Sequence, residues 1–185
     1  MMPATHAEPL VHAGNRRQQR AAVAQRLRQC AADAVGSLDW DALDAAPGWL
    51  ALSDAELRRF EAQVGATLCA SVVKLWIDGP RLAAARAALG AGFLQALRGM
   101  PSTQMLPSNV APCPPIDSAE QVAPLLRSAG VSVLLASMQP GPLRSVVSTV
   151  LAIGAPAAMA APLAQSLIVR AAALAAQHTV AGSRA

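Results

Sequence analysis

Apolar residues recur at helical spacing along most of this chain, and the longest such pattern lies at residues 53–101. Its first half predicts one helix of about six turns, because the apolar positions fall on one helical face. Ser53 and Glu56 match the S-x-x-E capping box, in which each side chain binds the other residue's backbone amide, so the helix is expected to begin there. The predicted buried stripe consists of Leu57, Phe60, Val64, Leu68, Val72 and Leu75.

A turn of Asp78, Gly79 and Pro80 separates this helix from a second one. Gly79 is expected to end the first helix, because glycine accepts the left-handed conformation, and Pro80 suits the first turn of the next. Two helices so closely joined are expected to pack as a hairpin or at an open angle, with Trp76 buried at the turn. The stripe of the second helix consists of Leu82, Ala85, Leu89, Phe93 and Leu97.

Helical patterns also flank this stretch. A helix capped by Asn15 is predicted to bury Val23 and Leu27, and a shorter one follows at Trp40. After a proline-rich loop at residues 101–115, three more helices are predicted. The first begins near the Ser118–Gln121 capping pattern, and Pro124 is expected to delay or kink it. The second begins at the Pro-Gly-Pro of residues 140–142. The third begins near Pro162 and is expected to end near His178.

These patterns predict an all-α protein, a single compact helical domain of about six to eight helices built around a central helical hairpin. No segment shows the sustained alternation that is typical of a strand. The 185 residues are enough for one ordinary domain but few for two. The domain is expected at residues 15–180, between a disordered tail at residues 1–14 and a frayed tail at residues 181–185.

Composition narrows the possible functions. The hydrophobic fraction is 54%, but 43 residues are alanine, which favours helix more than it drives burial. Three tryptophans, two phenylalanines and no tyrosine are too few for an aromatic ligand cage or a base-stacking surface. The net charge of +4 comes from fourteen arginines and one lysine against eleven acids. A nucleic-acid-binding protein usually concentrates more positive charge than this.

The arginines of the first helix allow two interpretations. We favour a solvated face, because the apolar stripe beside them is narrow and no aromatic residue is interleaved; the alternative is a basic helix that binds an acidic partner, a membrane surface or nucleic acid. A DNA-reading helix pair at residues 53–101 is disfavoured, because its second helix has no Asn or Gln near its start to bind base edges. The candidate partner-binding residues are Arg16, Arg17, Arg20, Arg58, Arg59 and Arg81.

No catalytic, cofactor or metal site is predicted, so we expect a protein that is not an enzyme. The chain lacks G-x-x-x-x-G-K-[ST], G-x-G-x-x-G after a strand, H-E-x-x-H and G-x-S-x-G. His6, His12 and His178 lie near the ends of the chain, where no triad or set of metal ligands is expected to converge. The acidic cluster at residues 39–44 is expected to cap a helix and face solvent.

Three cysteines, Cys30, Cys69 and Cys113, match no zinc or disulfide framework, which indicates a reducing compartment. Cys113 is expected to be exposed but unreactive, because no base lies near it in the sequence. The first residues show no signal peptide. The uncharged residues 145–169 are long enough to cross a bilayer, but a glycine and two prolines interrupt them and alanine fills them, so a transmembrane helix is disfavoured.

Two blocks of the sequence combine glycine, proline and apolar residues, each in an order of its own. Residues 64–101 are V-G-A-T-L-C-A-S-V-V-K-L-W-I-D-G-P-R-L-A-A-A-R-A-A-L-G-A-G-F-L-Q-A-L-R-G-M-P. Residues 129–156 are A-G-V-S-V-L-L-A-S-M-Q-P-G-P-L-R-S-V-V-S-T-V-L-A-I-G-A-P. Both blocks resemble the SctK, or YscK, family of bacterial type III secretion accessory proteins. With the residues around them, they cover about two-thirds of the chain.

The resemblance implies a non-enzymatic adaptor for protein secretion, without a cofactor, at the cytoplasmic face of the inner membrane. In that family the adaptor links the inner-membrane ring protein SctD to the pod protein SctQ of the sorting platform. The implied partners are therefore an SctQ-like and an SctD-like protein, and not nucleic acid. The alternative function is a helical regulator or chaperone that binds nucleic acid or an effector through its Arg-rich N-terminal helix.

Overall fold

The computed structural model describes residues 16–35, 40–106, 113, 115–151 and 159–182. Within these ranges the chain forms nine α-helices, two short 3₁₀ turns and no strand, which confirms the all-α prediction. The 3₁₀ turns lie at Gly48–Ala51 and Ser102–Gln104. The helices are α1 (Arg16–Val35), α2 (Trp40–Asp44), α3 (Asp54–Leu68), α4 (Ala70–Val73), α5 (Gly79–Leu89), α6 (Ala91–Gly99), α7 (Ala119–Ser137), α8 (Pro142–Val150) and α9 (Ala161–Gly182).

Capping residues set the starts of α3 and α7, as the sequence predicted. The amide of Ser53 donates to Glu56 Oε2 at 2.9 Å, and the amide of Glu56 donates to Ser53 Oγ at 3.4 Å. Ahead of α7, the amides of Asp117 and Ser118 donate to Gln121 Oε1 at 3.1 and 3.3 Å. These bonds satisfy backbone donors near the helix starts, where no carbonyl of the helix can serve them.

Helices α3 and α7 cross at the centre of the fold, where two glycines bring their backbones into contact. A Cβ added at Gly65 would lie 1.8 Å from the carbonyl oxygen of Leu126, and one added at Gly130 would lie 1.8 Å from that of Glu61. Only glycine leaves room for this approach. Helix α3 therefore packs most extensively on α7, which is distant in sequence, and much less on α5, its expected hairpin partner.

Two hydrophobic clusters share the crossed pair. In the first cluster, α3 and α7 pack with α1, α8 and α9, and its fully buried residues include Leu27, Val64, Leu134, Val147 and Leu167. In the second, they pack with α4, α5 and α6, and its buried residues include Ala66, Val73, Leu89, Leu97 and Leu126. Since α3 and α7 contribute to both clusters, the described helices form one continuous core.

The prediction of one continuous helix ahead of the Asp-Gly-Pro turn is wrong after Leu68. Helix α3 ends at Leu68, the short α4 follows, and residues 76–78 are not helical. The β-branched Val72 and Val73 are weak helix formers. The amides of Leu75 and Trp76 bond only three residues back, to the carbonyls of these valines, which tightens and ends the turn. The predicted burial of Leu75 is therefore wrong, since 78% of its surface is exposed.

The second predicted helix is also divided. It breaks at Gly90, whose φ of +87° lies in the region that favours glycine, so α5 and α6 replace one continuous helix. The prediction that Gly79 ends the preceding helix is wrong, because Gly79 is the first residue of α5. Asp78 caps that helix, because its Oδ1 accepts from the amide of Arg81 at 2.9 Å. Pro80 lies in the first turn, as predicted.

The last helices follow the predicted order. Helix α7 continues through Pro124, α8 begins at Pro142, and α9 ends at Gly182 instead of near His178. No helix among the residues that the structure describes is long and apolar enough to span a membrane. The predictions for residues 1–14, for the cap at Asn15 and for residues 107–112 and 114 of the proline-rich loop fall outside the described residues.

Candidate interaction surface

Helix α1 uses two of its arginines to bind the rest of the domain. Arg20 forms an ion pair with Asp44, and Arg26 Nη2 donates to Asp54 Oδ1 at 2.9 Å. The side chain of Arg26 is only 12% exposed. These two cations therefore contact acids of the same chain, so the polar face of α1 is not simply solvated and is less available to an external partner.

The other candidate arginines lie on different parts of the molecule. Arg58 and Arg59 are exposed in the first half of α3. Arg81 lies in the first turn of α5, beyond the other end of α3, which is about 22 Å long from its 15 residues. Arg16 and Arg17 belong to α1, but their side chains are outside the described part of the chain. Their role in partner binding stays a prediction.

The two most exposed large apolar side chains of the described residues lie two positions apart in sequence. Leu75 is 78% exposed and Ile77 is 89% exposed, and we call this pair the apolar tip. Trp76 between them is only 3% exposed, which confirms its predicted burial at the turn. The chain leaves the helical turn at these residues, and it buries Trp76 while both of its neighbours face solvent.

Arg81 holds the backbone that carries the apolar tip. Its Nε lies 2.6 Å from Asp78 Oδ2, and its guanidinium lies 5.8 Å from the centroid of the Trp76 ring. Its Nη1 donates to the carbonyl of Ile116 at 2.9 Å, which ties the turn to the segment before α7. Arg81, a candidate partner contact, therefore has a structural role in the free protein.

Two further interactions support the same turn. The amide of Arg81 donates to Asp78, and with the Arg81 side chain it holds the pKa of the Asp78 carboxyl below its ordinary value, against a smaller effect of desolvation. On the other side of the tip, Lys74 Nζ donates to the carbonyl of Met100 at 2.5 Å, just after α6. The apolar tip is therefore fixed on both sides by polar contacts.

Cys69 and Cys113 form a disulfide, with their Cα atoms 5.2 Å apart. The prediction that the cysteines match no disulfide framework is wrong for this pair. Cys113 is half-buried instead of exposed, and Cys69 is fully buried. The two residues are 44 positions apart, and only the fold of the chain brings them together. Sequence spacing carries no signal for such a pair.

Glu61 is the most buried acidic side chain of the described residues, at 2% exposure. Its Oε2 lies 3.0 Å from Arg127 Nε on α7. Burial raises the pKa of the Glu61 carboxyl, while the hydrogen bond and charge of Arg127 act in the opposite direction. In the described ranges no group of three His, Cys, Asp or Glu residues is placed to hold a metal ion. Glu61 thus belongs to the packing of the crossed helices.

The apolar tip was missed in the sequence because its residues follow a helical pattern up to Leu75. One local signal was present: Leu75, Trp76 and Ile77 are three consecutive apolar residues directly before a turn. Three such residues cannot all face one core when the helix has ended, so at least one of them had to be exposed.

The two sequence blocks of residues 64–101 and 129–156 begin at the centre of this core. Gly65 and Gly130 are each the second residue of a block, and they are the two glycines at which α3 and α7 touch. The first block also contains the apolar tip and the turn beneath it. Comparisons with protein-family models, with curated proteins and with solved structures found no match to this chain.

Proposed function

We propose that this protein is an adaptor of a bacterial type III secretion system, which links an SctD-like ring protein to an SctQ-like pod protein at the cytoplasmic face of the inner membrane. The observation that carries the proposal is the apolar tip, which lies inside the first block that resembles the SctK family. Covering one leucine or isoleucine side chain completely is worth about 1.5–3 kcal/mol. A partner that covers Leu75 and Ile77 gains this free energy with little ordering of the tip, because the turn is already held.

The arrangement of the two blocks supports the same proposal. Each block contributes one glycine to the centre of the fold. Here Gly65 and Gly130 meet at the crossing of α3 and α7. The blocks therefore belong to one structural unit, as expected if both come from one family's core.

Binding through the basic N-terminal helix receives less support. Arg20 and Arg26 contact Asp44 and Asp54 of the same chain. A partner with acidic groups would have to displace these pairs before it could use either arginine. We therefore place the partner-binding surface at the apolar tip.

Co-purification tests the proposed function. The full chain is expressed with an affinity tag beside the SctQ-like and SctD-like proteins of the same genome, and each is sought by mass spectrometry after purification. We expect at least one of them to be retained through washes at moderate salt, because apolar contacts are less sensitive to salt than surface ion pairs. Repeated absence of both proteins, with the tagged chain folded, would contradict the adaptor function.

A further inference from the structure

The disulfide belongs to a closed ring of contacts that passes through the apolar tip. Cys69 directly precedes α4, which leads into the tip. Beyond the tip, Asp78 pairs with Arg81, and Arg81 donates to the carbonyl of Ile116. Ile116 lies three residues after Cys113, and the disulfide links Cys113 to Cys69, which closes the ring. The bond therefore fixes the two supports of the tip relative to one another.

We propose that Cys69 and Cys113 are a reversible thiol–disulfide site, which reacts with small-molecule disulfides of the glutathione class and sets how firmly the apolar tip is held. A pair of cysteines can be oxidised or reduced by such thiols, depending on its reduction potential and that of the compartment. The inference goes beyond the adaptor function and does not need it, because the tip can be measured without any partner.

The burial of the two cysteine residues sets the order of the reaction. Cys113 is half-buried, whereas Cys69 has no exposed surface. The Cys113 thiolate therefore attacks one sulfur of the small disulfide, which forms a mixed disulfide and releases one small thiolate. The Cys69 thiolate then attacks Cys113 Sγ and releases the second small thiolate. The two cysteines lose two electrons and two protons, and the small disulfide takes them up as two thiols.

The crossing of α3 and α7 has contacts of its own, whereas Cys69 and Cys113 pack in the second hydrophobic cluster. The contact of Gly65 with Leu126, and that of Gly130 with Glu61, join α3 and α7 through backbone atoms and do not involve the sulfurs. The first hydrophobic cluster contains neither cysteine. Reduction is therefore expected to loosen residues 74–82 and to leave the crossed helices folded, since local openings cost less free energy than global unfolding.

Two measurements on the full chain test the proposal. The protein is equilibrated in buffers of reduced and oxidised glutathione, and alkylation with peptide mapping reports the state of each cysteine. Hydrogen exchange is then measured for peptides covering residues 74–82 and residues 126–134. We expect reversible oxidation of the pair, with exchange at residues 74–82 about tenfold faster after reduction and exchange at residues 126–134 changed less than about twofold.

Two matched variants separate this site from the third cysteine. Cys113→Ser is expected to show fast exchange at residues 74–82 in every glutathione buffer. Cys30→Ser is expected to keep the full response of the wild-type chain. The proposal is overturned if the pair does not oxidise, if it oxidises without a change at residues 74–82, or if reduction raises exchange equally at residues 126–134. In that last case the bond is a structural cross-link only.

Discussion

At Gly65 and Gly130 the absence of a side chain decides how closely α3 and α7 approach. The nearest atoms to an added Cβ are backbone atoms of the opposite helix, at 1.8 Å in both cases. A backbone atom cannot move aside as the end of a flexible side chain can, so any substitution must separate the helices. The two glycines are therefore the residues on which the central crossing depends most directly.

Gly65→Ala is expected to lower the free energy of unfolding by at least about 2 kcal/mol, because its methyl group forces the packed helices apart. Gly99→Ala is the matched control, because Gly99 also lies in a helix but a Cβ added there would meet no atom within 4 Å. We expect the control to change stability by no more than about 1 kcal/mol, in either direction. Urea denaturation of both variants measures the difference, and equal losses would contradict the close crossing.

Glu61→Gln tests the buried carboxyl beside that crossing. Because burial raises the pKa of Glu61, its contribution to stability is fully present below the ordinary glutamate pKa and is lost as the pH rises through the raised value. The glutamine variant does not ionise there. We therefore expect wild type to lose stability relative to Glu61→Gln over this rise in pH, in denaturation curves measured at several pH values. A relative gain would mean that Arg127 outweighs the cost of burial.

At the scale of the helices, starts were easier to predict than ends. The two predicted caps, Ser53 and Ser118, lie directly before α3 and α7. An N-cap acts through one side chain and neighbouring amides, so it leaves a local signal in the sequence. Ends depend on what the chain packs against. The helix predicted for residues 53–75 ends at Leu68, and beyond it Trp76 packs in the second cluster, a tertiary contact that adds to the weak helix preference of Val72 and Val73.

Ser53→Ala is expected to destabilise the protein by about 1 kcal/mol at neutral pH, because it removes the hydroxyl of the capping box. The Ser53 hydroxyl and amide hold the pKa of the Glu56 carboxyl below its ordinary value, the hydroxyl more strongly. That contribution is present above the ordinary glutamate pKa and is lost as the pH falls through the lowered one. The loss in the variant should therefore shrink in acid.

Thermal unfolding at neutral and acidic pH provides this comparison. Ser166→Ala on α9 serves as the control, because its exposed hydroxyl donates to a carbonyl of its own helix and caps no amide. We expect the control to change stability by less than about 0.5 kcal/mol. A Ser53→Ala loss that is no larger than the control's at neutral pH would show that the capping box does not stabilise α3.

At the scale of the whole molecule, the sequence predicted the class of the fold but not which helices pair. Apolar spacing identifies the buried face of a helix, such as Leu57 to Leu68 in α3, and the all-α class follows from it. It does not identify the helix that covers this face. The contact of Gly65 with α7, and the bond between Cys69 and Cys113, both join segments that are far apart in sequence.

The candidate interaction surface was predicted only in part. Charge alone makes six arginines candidates for partner binding, but two of them, Arg20 and Arg81, bind acidic groups of the same chain. Charge in a sequence shows neither which acids lie nearby in the fold nor which apolar side chains remain uncovered. Leu75 and Ile77 could be found only once the helix end and the burial of Trp76 were known.

Partner binding through the apolar tip is tested most directly by titration calorimetry with the SctQ-like and SctD-like proteins of the same genome. Replacing both Leu75 and Ile77 with serine is expected to leave the fold intact, since both side chains are exposed, and to weaken binding to one of these partners at least about 100-fold. Val169→Ser, at an apolar position 53% exposed on α9, is the matched control and is expected to bind as wild type does. A folded double variant that binds both partners as tightly as wild type, or a wild-type chain that binds neither, would contradict the proposed role of the tip.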